Sequence, residues 1–147
     1  AGLAVLTVPF AWSAWSSYRE FRGYLDVTLD APNPPWTRGT LDPDGCVEAA
    51  LRWIEPCPGL EELCRRGLPT VVHRCLEAAD RAPFCAQERE ALERSTYGYD
   101  TCQAHVAAGR LDDTRMHRQR CAIAYRAVAE WCEAQPRTAA MLTMEGR

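Results

Sequence analysis

Eight cysteines constrain this chain more than any other feature: Cys46, Cys57, Cys64, Cys75, Cys85, Cys102, Cys121 and Cys132. Their number is even, and eight thiols in 147 residues point to disulfides formed in an oxidising compartment. Structural zinc is the competing use of clustered cysteine, and it favours short Cys-x2-4-Cys steps. The closest cysteines here, Cys57 and Cys64, are too far apart for such a step. There is no CxxC or CxxCH, so neither a thioredoxin-like redox site nor c-type haem attachment is supported. All eight thiols are therefore expected to be oxidised.

The spacing also suggests how they pair. Cysteines eleven apart lie about three turns apart on one face of an α-helix. Cys46/Cys57, Cys64/Cys75 and Cys121/Cys132 all have this spacing. Folding the first two pairs into an antiparallel hairpin sets Cys57 against Cys64 beside the turn and Cys46 against Cys75 at the open end. The two limbs match in length, so both bridges close without a register error. In the second half, Cys102 and Cys121 flank a turn at Gly109, and Cys85 and Cys132 lie outside them. The Cys85–Cys102 limb is the longer one, and the stretch Ser95–Tyr99 is expected to loosen and absorb the difference. The pairings are thus Cys46–Cys75, Cys57–Cys64, Cys85–Cys132 and Cys102–Cys121, the second two resting on the poorer match.

Helix signals surround these cysteines. Asp44 is placed to cap CVEAALRWIE, which Pro56 and Pro58 stop. Gly59–Arg66 reads as a short turn or helix ended by Gly67, with Pro69 opening the next helix, TVVHRCLEAADR. Pro83 opens FCAQEREALER, and a further helix holds Cys102. Asp112 or Asp113 caps the longest helix, TRMHRQRCAIAYRAVAEWCEAQ, whose apolar residues recur at helical spacing. The expected fold is all-α: disulfide-stapled antiparallel helical hairpins over residues 44–135, an apolar, Pro-rich N-terminal arm over 1–43, and a tail over 136–147.

The arm is distinctive. Residues 1–18 carry no charge and end in Trp12, Trp15 and Tyr18, followed by Arg19, Glu20 and Arg22. Two readings stand: a short membrane-contacting helix with interfacial aromatics, or a helix covered by a partner. Residues 26–45 contain Pro32, Pro34, Pro35 and Pro43 and read as an extended linker, with Trp36 as an anchor. Phe10, Trp12, Trp15, Tyr18 and Trp36 are the candidate partner-binding residues, because aromatic side chains offer large buriable areas. An arm of this composition is expected not to bury itself against so small a core.

Paired helices with Cys-x9-Cys or Cys-x10-Cys on each limb resemble the coiled-coil-helix-coiled-coil-helix (CHCH) proteins of the mitochondrial intermembrane space. Two hairpins with eight cysteines resemble, more narrowly, the double-hairpin accessory subunits of respiratory complex I. The resemblance covers Cys46–Cys132 and rests on the tracts CVEAALRWIEPC, CRRGLPTVVHRC and CAIAYRAVAEWC. It implies a non-catalytic accessory subunit, located in the intermembrane space at the inner membrane, with other subunits of a membrane complex as partners. The alternative is a secreted or periplasmic disulfide-rich helical binding protein.

No catalytic constellation competes with this. His73 and His117 read as ordinary surface or boundary residues, and none of the three histidines, His105 included, reads as a catalytic or metal-binding group. Glu61-Glu62 and Asp112-Asp113 read as acidic charge at helix starts. Arg65-Arg66 and Arg115, Arg118 and Arg120 read as solvated helix faces. All 17 basic residues are arginine, an imbalance that codon bias explains. A net charge of −3 argues against nucleic acid as a partner. No phosphate loop, HExxH or GxSxG occurs, and no cofactor, metal or small-molecule substrate is expected.

Overall fold

The computed structural model describes residues 3–31 and 41–135, with side chains from residue 10 onward. Seven helices account for the described regular structure: α1 (Leu3–Asp30), α2 (Pro43–Ile54), α3 (Glu61–Leu76), α4 (Ala82–Gln87), α5 (Arg89–Leu92), α6 (Tyr97–Ala107) and α7 (Arg115–Ala134). No strand occurs among the described residues. The fold is all-α and disulfide-stapled.

Helices α2 and α3 form the first hairpin. Cys57–Cys64 closes it beside the turn and Cys46–Cys75 at the open end, with Cα–Cα separations of 6.1 and 5.6 Å. These lie inside the range a disulfide spans. Helices α6 and α7 form the second hairpin. Cys102–Cys121 sits near the turn, and Cys85–Cys132 ties α4 to the far end of α7. These are the pairs that the nested spacing sets opposite each other. Gly109 turns the chain after α6 with φ 67°, a left-handed conformation that costs glycine little.

The longer limb is accommodated by breaking it. Three short helices replace one, with interruptions at Glu88 and at Glu93–Thr96. The loosening therefore falls before Tyr97 rather than across Ser95–Tyr99, because Gly98 must sit in α6. A β-carbon there would come within 2.6 Å of the Ala122 carbonyl oxygen on α7. Only glycine lets α6 approach α7 backbone to backbone at this point.

Several boundaries differ from those the sequence suggests. Asp42, not Asp44, caps α2: its side chain accepts a 2.7 Å hydrogen bond from the Gly45 N–H, and Pro43 takes the first helical position. Thr114, not Asp112 or Asp113, caps α7, accepting from the His117 N–H at 3.1 Å. Helix α3 runs unbroken through Gly67 and Pro69. Proline denies the Arg65 carbonyl its partner, but the helix is held at both ends by disulfides and along its length by buried Leu68, Val71 and Val72. Tertiary packing overrides the local signal.

The largest correction concerns the linker. Residues 26–30 are helical, as are 43–45, so the stretch expected to be extended is folded at both ends. Residues 32–40, including Trp36, and the tail 136–147 lie outside the described residues. The core is one cluster spanning α1, α2, α3, α5, α6 and α7. Helix α7 packs on α3, α2 and α6 and so joins the two hairpins. The arm contributes Phe21 and Leu25 to that cluster, so the C-terminal half of α1 is part of the body.

Candidate functional site

The candidate surface is built on α1, and its geometry begins with how α1 is held. Phe21, Tyr24, Leu25 and Thr28 follow one another at the i, i+3, i+4, i+7 spacing of one helix face. Phe21 drops into a seat made by two glycines of the first hairpin. A β-carbon at Gly59 would stand 2.8 Å from the Phe21 Cβ, and one at Gly67 would stand 3.1 Å from the Phe21 ring and 2.8 Å from Trp53. Tyr24 stacks on Trp53, with ring centroids 5.3 Å apart. Its hydroxyl donates to the Trp53 carbonyl at 2.7 Å, and the Trp53 indole N–H donates to the Thr28 hydroxyl at 2.9 Å. One turn earlier, the Ser17 hydroxyl accepts from the Leu60 N–H at 2.9 Å. That bond satisfies the backbone donor at the start of α3, whose N-cap residue has no side-chain oxygen.

Beyond Ser17 the helix carries its aromatics outward. Phe10 is 77% exposed, Trp12 74%, Trp15 58% and Tyr18 44%. Trp12, Trp15 and Tyr18 are three apart and form a stripe along one side of α1. Trp15 and Tyr18 rings lie 6.3 Å apart. The charges begin where the stripe ends, and Arg22 pairs with Asp26 at 3.4 Å. Four of the five candidate partner-binding residues are thus on one helix segment, solvent-facing, next to a rigid body. The fifth, Trp36, lies outside the described residues. No helix among the described residues is long and apolar enough to cross a membrane.

A second cluster sits where α2, α6 and α7 meet. The Tyr125 hydroxyl donates to Asp44 Oδ1 at 3.0 Å and meets His105 Nε2 at 2.6 Å. With the hydroxyl proton committed to Asp44, the bond to His105 requires the imidazole proton on Nε2. Tyr125 and His105 are buried and stacked, and Tyr97 meets Tyr125 edge-on with ring centroids 6.1 Å apart. Burial pushes the Tyr125 hydroxyl far above its ordinary range, with Asp44 adding to the shift. Burial likewise raises Tyr97, to about 12. A phenol so placed stays protonated at neutral pH and links three helices. His105 is therefore a buried structural residue. His73 bonds the Ala127 carbonyl at 2.9 Å and ties α3 to α7. His117 Nδ1 is buried without a hydrogen-bond partner, 3.7 Å from Asp112.

The acidic and basic surface readings divide. Glu61 and Glu62 occupy the first turn of α3, where the helix dipole favours negative charge. Asp112 and Asp113 precede α7 instead of entering it, and Asp113 pairs with Arg118. Arg120 is not on a solvated face. It is buried and holds Glu61 with two parallel bonds, one of them 3.0 Å between Nε and Oε1. Arg120 depresses the Glu61 carboxyl below its ordinary range by hydrogen bonding and by its charge. This pair crosses between the hairpins, and only the fold brings its members together, 59 residues apart.

Every cysteine is disulfide-bonded, so no thiolate is available as nucleophile or ligand. Among the described residues no group of three or more His, Cys, Asp or Glu side chains is arranged to hold a metal. A shallow cleft of 320 Å³ between α2 and the α6–α7 turn borders His105 and Tyr125, with Arg52 and Arg110 at its rim. Arg52 is 3.8 Å from Glu48. No family model, curated protein or solved structure matches this chain.

Proposed function

We propose that this protein is a non-catalytic accessory subunit that stabilises a mitochondrial respiratory-chain membrane complex, of the complex I type, from the intermembrane-space side. The observation that carries the reading is the division of α1. Its C-terminal half is locked into a body closed by four disulfides, and its N-terminal half offers Phe10, Trp12, Trp15 and Tyr18 to solvent. A helix so anchored presents large aromatic side chains with little flexibility to lose on docking, which favours tight association. Disulfides are at home in an oxidising compartment, and two nested helical hairpins resemble the intermembrane-space CHCH proteins. The twin-hairpin body supplies rigidity, and the helix supplies contact.

The experiment expresses the tagged full chain in cells of its source, fractionates them and resolves membrane complexes on native gels. The expected result is mitochondrial recovery and co-migration with a large respiratory complex. Replacing Phe10, Trp12, Trp15 and Tyr18 together with serine should abolish co-migration while leaving the body oxidised and helical. Recovery in a secretory fraction, or unchanged co-migration of the serine variant, overturns the reading.

A further inference from the structure

We propose that the N-terminal half of α1 inserts into the interfacial layer of a lipid bilayer, through Phe10 and the Trp12–Trp15–Tyr18 stripe. This deepens the accessory-subunit reading and rests on it in taking the exposed aromatics as the contact surface. The occupant follows from where these side chains lie around the helix. Phe10 continues the line of Ser17 and Phe21, the side that faces the body, beyond the body's edge. Trp12 follows two residues later, roughly 200° around the axis. The stripe that runs on through Trp15 and Tyr18 therefore lies on a different side from Phe10, and both sides are open, with Phe10 77% and Trp12 74% exposed. A groove on a protein covers one side of a helix. A fluid bilayer covers whatever the helix presents.

The distribution of charge agrees. Residues 1–18 carry none, so none has to be desolvated on entry. Tryptophan and tyrosine are the side chains that settle at the headgroup level, where an apolar body and a polar tip are both satisfied. Arg19, Glu20, Arg22 and Asp26 then mark the return to water, and they balance in sign. Arg22 pairs with Asp26, and Glu20 accepts a 3.5 Å bond from Ser16. A balanced collar gives no electrostatic reason to prefer anionic lipid, so the partner is a neutral, zwitterionic surface. Because no described helix is long and apolar enough to cross, the contact is one-sided insertion, with the disulfide body left in water.

The test floats the full-length oxidised protein with vesicles of pure phosphatidylcholine at low and high salt. Flotation independent of salt, a blue shift of tryptophan emission, and quenching by phosphatidylcholine brominated in its acyl chains are expected. A Trp12→Ser/Trp15→Ser variant should lose the quenching and bind at least about tenfold more weakly, since two large apolar surfaces no longer leave water. Its body is checked by helical circular dichroism and by the absence of free thiols. Three outcomes overturn the proposal: no flotation, flotation only with anionic vesicles and abolished by salt, or lipid-free self-association that buries the same tryptophans. The vesicles contain no protein partner, so failure here leaves co-migration on native gels to be judged separately.

Discussion

At the scale of single residues, the chain places its polar atoms where helices meet. Tyr125 joins Asp44 of α2 to His105 of α6, and Arg120 joins α7 to Glu61 of α3. Each is a buried polar group made tolerable by its partners. The tyrosines set a boundary on stability at high pH. Tyr97 ionises at about 12, and Tyr125 is raised further by burial and by Asp44, against about 10 in an unfolded chain. The folded state thus holds protons that the unfolded state releases first. Their contribution is fully present below about pH 10 and is lost as pH rises through 12. Phenolate absorbance followed beside circular dichroism should show a late ionisation step that coincides with loss of helix. Tyr125→Phe should shrink that step. Ionisation of all five tyrosines near pH 10 with the helices intact would contradict the buried network.

At the scale of elements, the docking of α1 decides how much of the arm is body. Phe21 fits only because Gly59 and Gly67 carry no side chain. Gly67→Ala should push Phe21 and Trp53 out of their seat at a cost of about 1–3 kcal/mol, the usual range for overpacking. Both hairpins should remain closed by their disulfides. Arg19 and Arg22 provide tryptic sites on α1, and cleavage there should become faster in the variant while fragments within 46–132 stay protected. Equal cleavage rates would mean that the seat does not hold the helix. Removing all of 1–40 also strips Phe21 and Leu25 from the core, so it disturbs the body as well as the contact surface. The disulfide framework was legible in the sequence because a helix converts spacing into direction: Cys64 and Cys75 on α3, and Cys121 and Cys132 on α7, share a face, while Cys57 lies just past the end of α2 and still reaches Cys64 across the turn. The docking of α1 was less so. Its signal, Phe21, Tyr24, Leu25 and Thr28 at helical spacing, stands in the sequence, but the prolines downstream suggest an extended chain. The two glycines that receive Phe21 come from a different part of the fold. Gly67 with Pro69 reads as a helix end by local preference, and the disulfides at both ends together with burial of Leu68, Val71 and Val72 keep α3 whole.

At the scale of the whole molecule, the question is what makes two separately stapled hairpins a single body. No disulfide crosses from one to the other, since Cys46–Cys75 and Cys57–Cys64 stay in the first and Cys85–Cys132 and Cys102–Cys121 in the second. Their union rests on α7 against α3 and α2. The face of α7 that does this is marked by Arg120, which reaches Glu61 on α3, and by Ala127 two turns later, whose carbonyl accepts from His73 on α3. Ala124 and Ala127 have no exposed surface, so α7 approaches closely because these side chains are small. Ala127→Leu adds three carbons at a site with no room, and repacking typically costs about 1–3 kcal/mol. Because the bridges lie within the hairpins, that cost falls on the seam between them. The oxidised wild-type protein should melt in one calorimetric transition, its core being one continuous cluster. The Ala127→Leu protein should keep all four disulfides and most of its helix, yet melt in two transitions or in one that is broadened and lowered. Ala127→Ser, which leaves the volume nearly unchanged, should melt close to wild type in cooperativity. If Ala127→Leu melts as the wild type does, the hairpins are held together elsewhere, and α7 is not the seam.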